Sequence, residues 1–197
     1  MNLKAYSIIL VLLTSLLCGC VSNQQEIIED NSVTPPERMS FTAPVMSSDS
    51  NNSDLILDEY ISDNPVLLIW VAAGCMGCHS WTDIFANEVN NGNISNSSIL
   101  SIHRYPSFES SSYVEEVYGN HENATNPVSW PLLLPPEETI VIDLDSGLES
   151  SYSLYNSFGN PSTPTLQIMD SLGEIIWTSK TYWPTVEVLD EIKELIS

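Results

Sequence analysis

Five consecutive residues, Cys75-Met76-Gly77-Cys78-His79, carry the most reactive side chains of the sequence. Two cysteines separated by two residues and followed at once by a histidine fit two incompatible chemistries. In one, both sulfurs are bound covalently to a haem and His79 ligates the iron, with Met169 as a candidate second axial ligand. In the other, Cys75 and Cys78 form a dithiol that cycles between thiol and disulfide. A third use is metal carriage, in which the two thiolates and a distant His103 or His121 hold copper(I), a soft ion that thiolates suit.

The remaining cysteines bear on the choice. The chain has four, and Cys18 and Cys20 close the segment MNLKAYSIILVLLTSLLCGC, in which one Lys precedes an apolar run from Ala5 to Leu17. That run is too short for a comfortable membrane span and reads as an export signal. It resembles a lipoprotein signal, with Leu17 three residues before Cys20 and the small Gly19 just before it. The resemblance implies a signal peptide over residues 1–19, cleavage before Cys20 and a diacylglycerol on its sulfur. Cys18 is an unusual residue for its position, so an uncleaved signal anchor stands as the alternative. Both place the rest of the chain outside the cytoplasm.

Cys75 and Cys78 then remain as one pair. Exported proteins ordinarily use disulfides to join distant segments, whereas a bridge two residues apart closes almost no loop and adds little stability through chain entropy. Reactivity is the better reason for the pair.

Charge excludes a class of partner. Lys and Arg number 5 against 26 Asp and Glu, for a net charge of -21, which repels nucleic acid phosphates and acidic lipid head groups. A length of 197 residues suits one domain with appendages. Residues 20–53, polar and interrupted by Pro35-Pro36, read as a flexible tether, in which Phe41-Thr42-Ala43-Pro44 is a candidate edge strand. Residues 54–197 read as the folded domain.

The cysteines need a scaffold. Val66 to Ala73 is a continuous apolar run, the pattern of a central strand buried on both faces. After Gly74 the period changes, and Cys78, Trp81, Phe85 and Val89 mark one face of a helix that Gly92 terminates. The pair therefore lies at a strand-to-helix junction. Ile99 to His103 reads as a second strand and Ser111 to Tyr118 as a helix, followed by a long proline-rich connection through Pro136. Thr139 to Leu144 reads as a strand and Ser151 to Phe158 as a short helix. Thr165 to Met169 and Glu174 to Trp177 form a hairpin around Gly173. Beyond Pro184, the residues Val188, Leu189, Ile192, Leu195 and Ile196 line one face of a closing amphipathic helix.

This order of elements, with VLLIWVAAGCMGC, STPT and the terminal hairpin and helix, resembles the thioredoxin superfamily, and within it the membrane-anchored extracytoplasmic thioredoxin-like proteins. The resemblance spans roughly residues 41–197. It implies an α/β thioredoxin-like fold, a mixed central sheet flanked by helices, and a thiol-disulfide oxidoreductase acting on exported proteins with exposed disulfides or dithiols. No cofactor is implied beyond a redox partner protein. The element order counts against haem, and the two-residue spacing against copper, whose carriers in this superfamily usually separate the cysteines by three.

Physical chemistry distinguishes the two thiols. A sulfur at the first turn of a helix faces unpaired N–H groups and the positive end of the macrodipole, which favour thiolate. Cys75 is thus the expected nucleophile, with a pKa of roughly 3.5 to 7.5 by analogy with other such sites. Cys78, one turn deeper on the apolar face, is the expected resolving thiol. His79, four residues after Cys75, is positioned to support the thiolate as imidazolium. The resemblance further implies that Pro164 is a cis-proline facing the dithiol and that Thr163 presents its backbone to an extended substrate. Gly74 replaces the Trp that many members carry before the first Cys, Met76-Gly77 replaces Gly-Pro, and Ile69 stands where thioredoxins proper keep a buried Asp. These departures leave the direction and rate of exchange open.

Overall fold

A computed structural model describes residues 34–46 and 53–196. The signal over residues 1–19, Cys20 and the tether as far as residue 33 lie outside the described residues. The elements run β1 (Met39–Ser40), β2 (Thr42–Pro44), β3 (Asp54–Ile56), α1 (Leu57–Tyr60), β4 (Val66–Val71), α2 (Met76–Asn90), a 3-10 turn (Asn96–Ser98) and β5 (Ile99–His103). They continue with α3 (Ser111–Tyr118), β6 (Leu132–Leu133), β7 (Ile140–Asp143), β8 (Leu148–Ser153), α4 (Leu154–Ser157), β9 (Thr165–Met169), β10 (Ile175–Ser179) and α5 (Val186–Leu195). No helix among the described residues is long and apolar enough to cross a membrane.

All six residues of β4 are buried, and the strand is central in a five-stranded sheet of order β10-β9-β4-β5-β6. Pairing is parallel from β4 to β5 and from β5 to β6, and antiparallel from β4 to β9 and from β9 to β10. Strand alternation divides β4 between two cores. Leu67, Ile69 and Val71 pack with Cys78, Trp81 and Phe85 of α2, Val114 and Val117 of α3 and Ile192 of α5. Val66, Leu68 and Trp70 pack on the other side with Met39, Phe41, Leu57, Val141, Tyr155 and Phe158. Trp70 is anchored there by its indole N–H, which donates to Gln167 at 2.7 Å.

The second face carries the main difference from expectation. Residues 39–44, placed in the tether by composition with Phe41 to Pro44 as a candidate edge strand, are structured. β1 pairs with β7, and β7 with β8, in a three-stranded sheet, while β2 pairs with β3. Phe41, between the two short strands, is buried and meets Phe158 edge-on. These strands gain their stability from that contact and from distant partners. Ser151 to Ser153, read as the start of a helix, instead finish β8, and the helix begins at Leu154.

Candidate active site

Parallel strands end on the same side of a sheet, so the loops after β4 and β5 lie together. Antiparallel pairing of Trp70 with Thr165 brings the start of β9 to that end as well. The loop after β4 holds the cysteines, and the segment before β9 holds Thr163 and Pro164, whose peptide bond is cis.

Cys75 is the N-cap of α2, and Cys78 lies in its first turn. The two are joined by a disulfide. The Cys78 backbone N–H donates to Cys75 Sγ at 3.1 Å, so one of the unpaired donors at the helix start is aimed at that sulfur. Cys75 keeps 8% exposure and Cys78 none. On the inner side, Cys78 Sγ lies 3.9 Å from the Trp70 carbonyl oxygen, the acceptor a reduced Cys78 thiol would face. Ile69 is fully buried in the same core as Cys78.

Residues 72–74, which lead into the pair, are held from three sides. Tyr118 donates its hydroxyl to the Ala72 carbonyl at 2.9 Å, and burial pushes that phenol far above its ordinary pKa, so it remains a donor. His79 donates from Nε2 to the Ala73 carbonyl at 2.7 Å and meets the Tyr118 ring edge-on. This ring nitrogen is spent on the loop. Glu109 completes the set, with Oε2 accepting from Ala73 N–H at 2.7 Å and Oε1 from Gly74 N–H at 3.0 Å.

His103 stands behind Glu109. It is 2% exposed, and its Nε2 donates to Glu109 Oε2 at 3.0 Å. Burial pushes the Glu109 carboxyl up, but the N–H groups of Gly74 and Ala73 together with His103 outweigh it and hold the acid below the usual carboxylate range. Burial likewise holds the His103 imidazole below its ordinary value, against the opposing pull of Glu109. The pair is therefore a neutral imidazole donating to a carboxylate at neutral pH. Both line a cleft of about 350 Å³ bounded also by Ser110, Leu134 and Pro136.

The surface beside the motif is apolar. Met76 is exposed, and Gly77 lies under Tyr182, which pairs edge-on with the exposed Trp183 at 4.9 Å.

Among the candidate residues, the structure brings Cys75, Cys78 and His79 together, sets Thr163 and Pro164 at the same end of the sheet, and leaves Met169, His103 and His121 apart. Met169 packs in the core on the far face of the sheet from Cys78, where it cannot complete a haem ligand set built on His79. His103 is committed to Glu109, and His121 bonds the Glu115 carbonyl through Nε2 at 3.2 Å. Among the described residues, no group of three or more His, Cys, Asp or Glu is arranged to hold a metal. Glu109 was missed in the sequence. The signal available for it was topological, an acid in the loop following the strand parallel to the one that carries the cysteines.

No protein-family model matches the chain, and no curated protein does. Solved structures do. The thioredoxin domain of a thiol-disulfide oxidoreductase from Bacteroides vulgatus aligns with a TM-score of 0.55 at 13% identity, over 83% of this chain and 98% of its own. The pneumococcal exposed lipoprotein thioredoxin from Streptococcus pneumoniae aligns at 0.51 and 18% identity, over 79% and 99%. A mitochondrial 2-Cys peroxiredoxin from Plasmodium falciparum also aligns, at 0.51 and 11%, over 82% and 92%. Likeness at these identities is likeness of architecture, and it establishes that the chain has the thioredoxin-like fold.

Proposed function

We propose that the protein is an extracytoplasmic thiol-disulfide oxidoreductase, tethered to the membrane through a lipid on Cys20, that exchanges disulfides with exported proteins through Cys75 and Cys78. The observation that carries the reading is the placement of Cys75, which keeps 8% exposure against none for Cys78, at the N-cap of a fifteen-residue helix with the Cys78 N–H aimed at its sulfur. The export signal supports the address, and one protein sharing the fold is itself an exposed lipoprotein.

In the reducing direction, Cys75 thiolate attacks one sulfur of a substrate disulfide. That bond breaks, a mixed disulfide forms, and the first substrate sulfur leaves as thiolate. Cys78 then loses its proton and attacks Cys75 Sγ, forming the internal disulfide and releasing the second substrate thiolate. Two electrons pass to the substrate, and the protons given up by the two cysteines are balanced by those its sulfurs take. A partner dithiol protein returns the pair to the reduced state. The apolar lip of Met76, Tyr182 and Trp183 is suited to an extended segment around the substrate cysteine, with Thr163 offering backbone beside the cis Pro164.

The test is a trap. Cys78→Ser expressed in the native envelope should accumulate mixed disulfides through Cys75 that dithiothreitol dissolves. Absence of such adducts, together with equal alkylation of both cysteines in the reduced parent at pH 6, would remove the reading. Cys20→Ala should release the protein from the membrane fraction.

A further inference from the structure

We propose that Glu109 is a potential-setting residue: its carboxylate, bound to the two peptide N–H groups that precede Cys75, holds a negative charge beside the dithiol that disfavours its thiolate-bearing reduced state. The inference rests on the function proposed above and concerns its direction. It makes the pair a donor of electrons.

Three observations support it. Glu109 is drawn in to 15% exposure and occupies both oxygens on the active-site backbone, at 2.7 Å from Ala73 N and 3.0 Å from Gly74 N. The charge stands close to the backbone that enters the pair, since a methyl group on Gly74, the residue adjoining Cys75, would lie 3.6 Å from Glu109 Oε1. Among the described side chains that bond residues 72–74, Glu109 is the acid, while Tyr118 and His79 present donors to carbonyls. His103 fixes the arrangement from behind without cancelling the charge, since burial keeps it neutral.

The electrostatic consequence follows from the two redox states. The disulfide is neutral, whereas the reduced pair carries a thiolate on Cys75. A nearby carboxylate repels that thiolate and leaves the disulfide unaffected, and because Glu109 is drawn in to 15% exposure the repulsion is screened less than between two surface charges. The start of α2 pulls the opposite way. A pair whose reduced form is stabilised is an oxidant; Glu109 removes part of that stabilisation. The absence of a large side chain at Gly74 leaves room for this carboxylate.

The experiment compares the full exported chain with Glu109→Gln and Glu109→Asp. Two quantities are read: the equilibrium with glutathione, by alkylation and gel shift, and the Cys75 thiol titration, by thiolate absorbance. Glu109→Gln should lower the Cys75 midpoint by about one unit and move the glutathione equilibrium about tenfold toward dithiol, equivalent to about 30 mV. Glu109→Asp, which keeps the charge and disturbs the bonds, should stay within about threefold of the parent, a shift of about 15 mV or less. Equal shifts in both variants would assign the effect to geometry, and no shift in either would remove it; both overturn the proposal. Should neither variant fold, the parent decides: a Cys75 midpoint above about 7 supports the proposal, and one deep in the thiolate-stabilised range, below about 6, overturns it. Failure of the parent to equilibrate with glutathione at all would instead bring down the exchange function, and the titration would still be readable.

Discussion

Gly77 and Tyr182 meet so closely that a methyl group on Gly77 would come within 2.6 Å of the Tyr182 carbonyl oxygen and 2.9 Å of its ring. Backbone of one loop is thereby laid on the first turn of α2. Gly77→Ala should force the Tyr182 segment outward and cost about 1 to 3 kcal/mol, the usual range for overpacking. Gly74→Ala, with its nearest contact at 3.6 Å, should cost under about 0.5 kcal/mol. Urea denaturation of the two variants checks the contrast, and equal stabilities would refute it.

His79 spends its ring N–H on Ala73 O. His79→Ala should therefore lower stability by about 1 kcal/mol, the net value of one hydrogen bond, while the Cys75 titration midpoint moves by less than about 0.3 unit, equivalent to roughly 0.4 kcal/mol. A rise of a full unit would show that the imidazolium stabilises the thiolate directly.

Ile69 and the Trp70 carbonyl together govern the second thiol. A reduced Cys78 faces an acceptor 3.9 Å away and an aliphatic wall, both of which favour thiol over thiolate. Resolution of a preformed mixed disulfide on Cys75 should be slow near neutral pH and accelerate toward pH 9. Ile69→Asp should speed that step and destabilise the fold, since an ionised group in the central strand costs several kcal/mol, roughly, before its pKa adjusts. Single-turnover release of a chromogenic thiol across pH 6 to 9 measures it. A flat parent profile with no gain in the folded variant would make Ile69 ordinary core packing.

Stability should fall on mild acidification through His103. Its folded pKa lies below the ordinary value of about 6.5, so between those two values the unfolded chain takes up a proton that the native state refuses. The stabilisation is complete above about pH 6.5 and declines as pH falls toward the folded value. Glu109, also depressed, adds its own loss lower, below about pH 4.3. Thermal melts of the parent between pH 7 and 5 should show a drop that His103→Gln reduces. An equal drop in both would place the sensitivity elsewhere.

Sequence legibility followed the range of the interactions. β4 was readable because a strand buried on both faces must be apolar throughout, and the helix read over Ser111 to Tyr118 is found there as α3, with Ser110 accepting from Tyr113 N–H at its start. Cys75 and Cys78 were placed at the strand-to-helix junction by the change of period alone. β1 was hidden and β2 was legible only as a candidate edge strand at Phe41 to Pro44, since short strands in a polar, proline-containing segment are stabilised by β7 and β3 and by the burial of Phe41. β8 was hidden as well, because LESSYS is largely exposed and lacks an apolar alternation. The contact of Glu109 with Ala73 and Gly74 joins a side chain to backbone across 36 and 35 residues, and no local pattern encodes such a pairing.

The short strand β1 ties the first described residues to some of the last. Met39 pairs with Asp143, Arg38 bridges to Glu174, and the Arg38 guanidinium bonds Asp145 and the Leu172 carbonyl. A chain synthesised N-terminus first presents this strand about a hundred residues before its partner arrives. The second face of the sheet cannot close during that interval, and Met39 and Phe41 stay open to solvent or to a chaperone until β7 and the turn after β9 have emerged. Completion of the fold thus waits for the last third of the chain, and a chain stalled before residue 143 keeps an apolar strand edge available for mispairing.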